Sequence, residues 1–136
     1  MADLAITATL VVAGANARKV DGVCGETITA GQAVYYDAAA GRYLKADANS
    51  AVAAARVATG IALNGGAINQ PLKVQTDGLI TIGAALTAGM AYALSSTAGA
   101  IRPVADNTTG DYPCLMGIAT TTAILDIGIQ SAGVAL

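Results

Sequence analysis

The stretches "ITAGQAVYYDAAAGRYLKADA" (residues 28–48) and "LTAGMAYALSSTAGAIRPVAD" (residues 86–106) are two writings of one pattern. In each, a glycine follows Thr-Ala (Gly31, Gly89), a short apolar run comes next, and a second glycine (Gly41, Gly99) precedes the return of the chain. Glycine at the turn supplies the positive φ that a tight reversal needs, so both stretches read as hairpins. The likeness continues downstream, where "TGIA" at Thr59–Ala62 is echoed by "MGIA" at Met116–Ala119. Beyond that, "ILDIGIQSAG" (Ile124–Gly133) stands in the place of "PLKVQTDG". Turn residues and inward apolar positions are kept while outward residues drift. That indicates two copies of one β-unit, about 25–82 and 83–136, which builds a scaffold and not a site.

Around this frame the signals are mostly those of strands. In "PLKVQTDGLITIG", Leu72, Val74 and Thr76 alternate with Lys73, Gln75 and Asp77, and Asp77-Gly78 predicts a tight turn with Ile80 and Ile82 running back. "ADANSAVAAAR" is the one helical signal, two turns at most, with Asp47, Asn49 or Ser50 as its cap. Long helices are absent and turn signals recur, which predicts an all-β fold: a compact barrel or sandwich of two similar hairpin-rich halves. Residues 21–136 then form a single domain. Residues 1–20 stand outside the repeat. Leu4, Ile6, Ala8, Leu10 and Val12 alternate with Ala5, Thr7, Thr9 and Val11, a period of two that predicts a strand. This segment is the natural candidate for an arm that pairs with another chain, with Leu4, Ile6, Leu10 and Val12 as its contact residues; an edge strand of the chain's own sheet is the competing reading.

Composition narrows the function. Charged residues are 12% of the 136, about half the usual share for a soluble domain. The hydrophobic 54% is rich in Ala, which buries little surface, so a lone monomer is thinly stabilised and self-association is expected. Seven Lys and Arg form no stripe, which leaves nucleic-acid binding without an electrostatic footing. The apolar start is too short to span a bilayer, and Asp3 stands where a signal peptide carries positive charge. The expectation is a soluble chain with no membrane partner.

Chemistry is scarce. With no His, acid–base catalysis near neutrality would fall to a shifted carboxylate, Lys or Tyr, and the carboxylates mostly occupy turn and cap positions. Neither Cys24 nor Cys114 has a partner base or further ligands in sequence. They read as buried, reduced, small hydrophobes, and a disulfide would require the fold to bring them together. No catalytic, cofactor or metal site is expected. Tyr35, Tyr36, Tyr43, Tyr92 and Tyr112 are the only aromatics. A stacking platform for nucleic acid or a sugar is one reading of them; completion of a small-residue core is the better one.

The motifs "GETITAGQAVYYD", "KADANSAVAAAR", "GIALNGGA" and "QPLKVQTDG" give the stretch from Gly25 to Val134 a resemblance to the head-decoration or cement (head-fibre-like) proteins of tailed bacteriophages. It covers about four fifths of the chain and rests on structural glycines and strands. The resemblance implies a virion protein on the outer capsid surface, assembled in the bacterial cytoplasm. Its partners would be the major capsid protein and itself, with a trimer favoured over a dimer and no active site to carry over. A carbohydrate- or receptor-binding module of a fibre or tail is the alternative expectation.

Overall fold

The computed structural model describes residues 3–136. Ten strands follow one another: β1 (Val12–Ala13), β2 (Arg18–Val23), β3 (Ala33–Asp37), β4 (Arg42–Lys45), β5 (Gly60–Ala62), β6 (Pro71–Thr81), β7 (Ala91–Leu94), β8 (Ile101–Pro103), β9 (Cys114–Ala119) and β10 (Ile124–Ser131). Strands take 41% of the chain and helical turns 7%, so the fold is all-β. No helix among the described residues is long and apolar enough to cross a membrane. The predicted Ala-rich helix is reduced to a single 3-10 turn, Ala53–Arg56. Asp47 and Ser50 accept from the backbone of Asn49 and Val52, two residues on, which holds the chain in turns and leaves only four residues to coil.

The repeat is visible in the pairing. Hairpin β3–β4 sets Tyr35 opposite Leu44, and hairpin β7–β8 sets Ala93 opposite Arg102. Strand β5 lies on the far edge of β3, and β9 on the far edge of β7. The neighbour order β4-β3-β5-β6-β10-β9-β7-β8 therefore reads as two like series joined through β6 and β10. Gly31, Gly41, Gly89 and Gly99, the four turn glycines, all have positive φ.

Two expectations about local structure are overturned. The Asp77-Gly78 turn does not form, because β6 runs through it as one strand of eleven residues. Its first half pairs with β2 and β5 and its second with β1 and β10, so the chain has partners on both sides and no reason to reverse. The positive φ of Gly78 instead serves an irregularity where the register with β2 jumps by one residue between Arg18 and Lys19. The buried Gln75 amide spans it, donating to Asp77 O (3.0 Å) and Leu79 O (2.8 Å). The seam between the copies thus lies at Gly78, inside β6: β2 flanks the first half of β6 as the second half of β6 flanks β10.

The strand predicted over Leu4–Val12 is also absent. Residues 3–7 are irregular, Ala8–Leu10 make a 3-10 turn, and only Val12–Ala13 pair, with β6. The turn breaks the phase of the alternation, so Val11 points into the core and Val12 out. Nor is the segment a free arm. Leu4 N–H donates to Ile101 O and Thr7 N–H to Gly83 O, both at 2.8 Å, and Ser95 Oγ donates to Asp3 Oδ1 at 2.6 Å.

Two cores result. Cys24, Ile28, Val34, Tyr43, Ala62, Leu72 and Val74 fill the first copy. There β4 returns to β2 through a bridge at Cys24 and Tyr43, with Gly25 N–H donating to Tyr43 O, so the sheet curls nearly shut. The second copy stays open, and its concave face is filled from outside. Ala33, Tyr35 and Ile61, on the reverse of the first copy, pack with Leu94, Ile101, Met116, Leu125 and Ile127, and Leu4 and Ile6 of the N-terminal strap join them.

Candidate functional site

Most side chains singled out from the sequence have structural tasks. Asp37, Asp47 and Asp77 each accept from a backbone N–H one or two residues ahead, and Glu26 accepts from Lys45 N–H at 2.9 Å. Asp111 is buried in an ion pair with Arg102, whose guanidinium also reaches Asn107 and Ser96. Burial alone would raise the Asp111 carboxyl. The Thr108 N–H, the Arg102 charge and the Thr108 hydroxyl outweigh it and hold the group below its usual 3.8.

Cys24 and Cys114 are free thiols in different cores. Burial pushes both pKa values up, partly offset at Cys114 by the Ala58 N–H. Thiols so placed are poor nucleophiles. Tyr35, Tyr43 and Tyr92 are buried, and Tyr112 lies under the Arg56 guanidinium, 3.9 Å from its ring centroid. Only Tyr36 is exposed, so the structure brings no pair of open rings together. Among the described residues no three His, Cys, Asp or Glu are grouped as metal ligands would be.

What the fold does assemble is a face without charge. Thr7 hangs from Gly83, Leu86 N–H donates to Thr122 O (2.8 Å), and Gly89 N–H donates to Ala119 O (2.7 Å). These bonds draw together the N-terminal strap, the turn at residues 83–90 and the loop at residues 120–123. In that loop Thr121 Oγ1 accepts from the N–H groups of Ala123 and Ile124, which fixes the reversal. Between the pieces runs an open groove of about 470 Å³, lined by Ala5, Thr7, Leu10, Thr81, Ala84 and Ala123 among others. Leu10, in its wall, and Val12, paired with Thr81, are each 58% exposed, and Met90 is 38% exposed.

The sequence-predicted contacts therefore divide. Leu10 and Val12 are presented outward, whereas Leu4 and Ile6 are half-buried against the body. The sequence also held a signal for the rest of the face. Six of the seven cations (Arg18, Lys19, Arg42, Lys45, Arg56, Lys73) precede Gly78, and the seventh, Arg102, is buried. From Gly78 to Ile101 there is no charge at all.

Comparison of the chain with protein-family models, with curated proteins and with solved structures finds no match.

Proposed function

We propose that this protein is a structural component of a virion, docking by its uncharged face on the outside of an expanded phage capsid and bridging neighbouring major capsid subunits. One observation carries the reading: residues 5–13, 83–90 and 120–123 present Leu10, Val12, Met90, alanines and threonines and hold no charged side chain, with Asp126 standing at the border beside Leu79 and Ile118. Depletion of charge with retention of apolar groups is what distinguishes the centre of a protein–protein interface from ordinary surface. The motif resemblance to cement proteins names a partner for that face. Such bridges need not be individually strong, because many copies act on one shell. Asp37, Asp47 and Asp77 are committed to turns, and Arg102 and Asp111 to a buried ion pair, which suits a part whose work is packing.

The test is co-sedimentation with expanded shells of the phage that carries the protein. Deleting the strap would be a poor probe, since Leu4, Ile6 and Val11 belong to the core. Replacing Leu10 and Val12 together by Asp leaves the core untouched and places charge in the face. Shell occupancy is expected to drop roughly tenfold or more. Wild-type occupancy by this variant would overturn the reading.

A further inference from the structure

We infer that the open edge of β2 pairs with the same edge of a second copy of this chain, antiparallel and centred on Val20. Strand β2 has a ladder only on its β6 side. Cys24 N–H donates toward β6, to Gln70 O, and Gly25 N–H donates the opposite way, to Tyr43 O. Alternation along the strand then turns the backbone groups of Val20 and Gly22 toward β6 and those of Lys19 and Asp21 away from it. Beyond the bridge at Cys24 no strand among the described residues takes that outer side. It is a row of unpaired donors and acceptors, the kind of edge that recruits another strand.

Charge selects the occupant and the register. Lys19 and Asp21 are both exposed and, two apart, lie on the same face. In an antiparallel pair centred on Val20, each Lys19 faces the other copy's Asp21, so both cross-strand pairs join opposite charges. The outward groups of these same two residues would make the four new backbone hydrogen bonds, so side chains and backbone specify one register. Asp21 already meets Lys73 of its own β6 at 3.1 Å. The junction would therefore extend an alternation that exists, Lys73–Asp21–Lys19, across the twofold axis. The pairing uses none of the residues of the uncharged face and is tested without any shell.

Sedimentation equilibrium of the whole chain over a concentration series is the experiment. Wild type is expected to form a dimer. Lys19→Asp sets two acidic pairs across the axis and Asp21→Lys two basic pairs, so each variant alone should dimerise at least roughly tenfold more weakly. An equimolar mixture of the two variants restores both opposite-charge pairs and is expected to form a heterodimer about as tight as wild type. Circular dichroism melts of each variant establish that both are folded. A wild-type monomer at every concentration, a trimer, or a dimer indifferent to both substitutions overturns the inference, as does a mixture that fails to associate.

Discussion

The two copies share a plan and differ in how their sheets are completed. The first copy curls until β4 reaches β2, and a core of its own residues fills it. In the second, the carbonyl of Ile101, at the place of Tyr43, takes its hydrogen bond from Leu4 of the strap, and the concave side is filled by the back of the first copy. The same position of the repeat can thus have opposite surroundings: Ile61 is fully buried, whereas Ile118 is 50% exposed. A duplicated unit stacked on itself leaves one copy covered on both faces and the other with an outer face to spare. The charges followed that division, gathering on the first copy and leaving much of the second bare.

The largest expected effect falls where the copies agree. Gly60 and Gly117 occupy equivalent places, and a Cβ at either would overlap a backbone carbonyl, Gln75 O in one case and Asp126 O in the other. The backbone cannot step aside without breaking the ladder, so Gly60→Val and Gly117→Val should each cost about 3 kcal/mol or more. Chemical denaturation would read this, against Gly128→Val as reference. Gly128 has nothing within 4 Å of its would-be Cβ, and that substitution should move stability by less than about 0.5 kcal/mol. If one of the tight glycines tolerates Val, the equivalence of the copies fails at that strand.

Next comes a feature of the second copy alone. Asp111→Ala leaves the buried Arg102 charge uncompensated, at a cost of about 3–5 kcal/mol. The acid limb of the stability profile carries the same information. The folded carboxyl titrates below its unfolded value, so its contribution is complete above the unfolded value near 3.8 and is lost as pH falls through the folded one. Acid denaturation of Asp111→Asn should therefore be shallower over that range than that of wild type. Equal slopes would show that the pair contributes nothing to acid sensitivity.

How much was legible beforehand follows from which signals are local. The turn glycines, the hairpins and the all-β class depend on φ angles and short-range alternation, and they were readable. The Asp77-Gly78 turn misled because a positive φ serves a bulge as well as a reversal, and the choice depends on partners far along the chain, at β1, β2, β5 and β10. Alternation in Leu4–Val12 misled for a similar reason: with the 3-10 turn at Ala8–Leu10 inserted, the phase is lost, and two of four expected contacts turn inward. The uncharged face was half legible. The gap in charge is plain in sequence, but nothing there says that residues 5–12, 83–90 and 120–123 meet.

The duplicated isoleucines give the direct measure of the asymmetry. Ile61→Ala empties a site between the two copies and should cost about 2–5 kcal/mol. Ile118→Ala, at the equivalent place, removes a side chain that water already reaches and should cost less than about 1 kcal/mol. A matched cost at the two sites would mean that the outer face of the second copy is covered in solution, which sedimentation of the same samples would reveal as association.

The smallest effects test whether the strap belongs to the second copy or only lies on it. Leu4 and Ile6 are half-buried against that core, so Leu4→Ala and Ile6→Ala should each cost about 1–2 kcal/mol, less than a fully buried site. Leu10→Asp and Val12→Asp fall on open surface and should change stability by less than about 0.5 kcal/mol. Amide exchange sharpens the point, because the Leu4 and Thr7 N–H groups are the strap's bonds to Ile101 and Gly83. If the strap completes the second copy, both amides exchange by the same opening as the Leu94 amide of β7. Exchange of Leu4 and Thr7 at the rate of free peptide would detach the strap from the fold and leave the second copy with an open edge at Ile101.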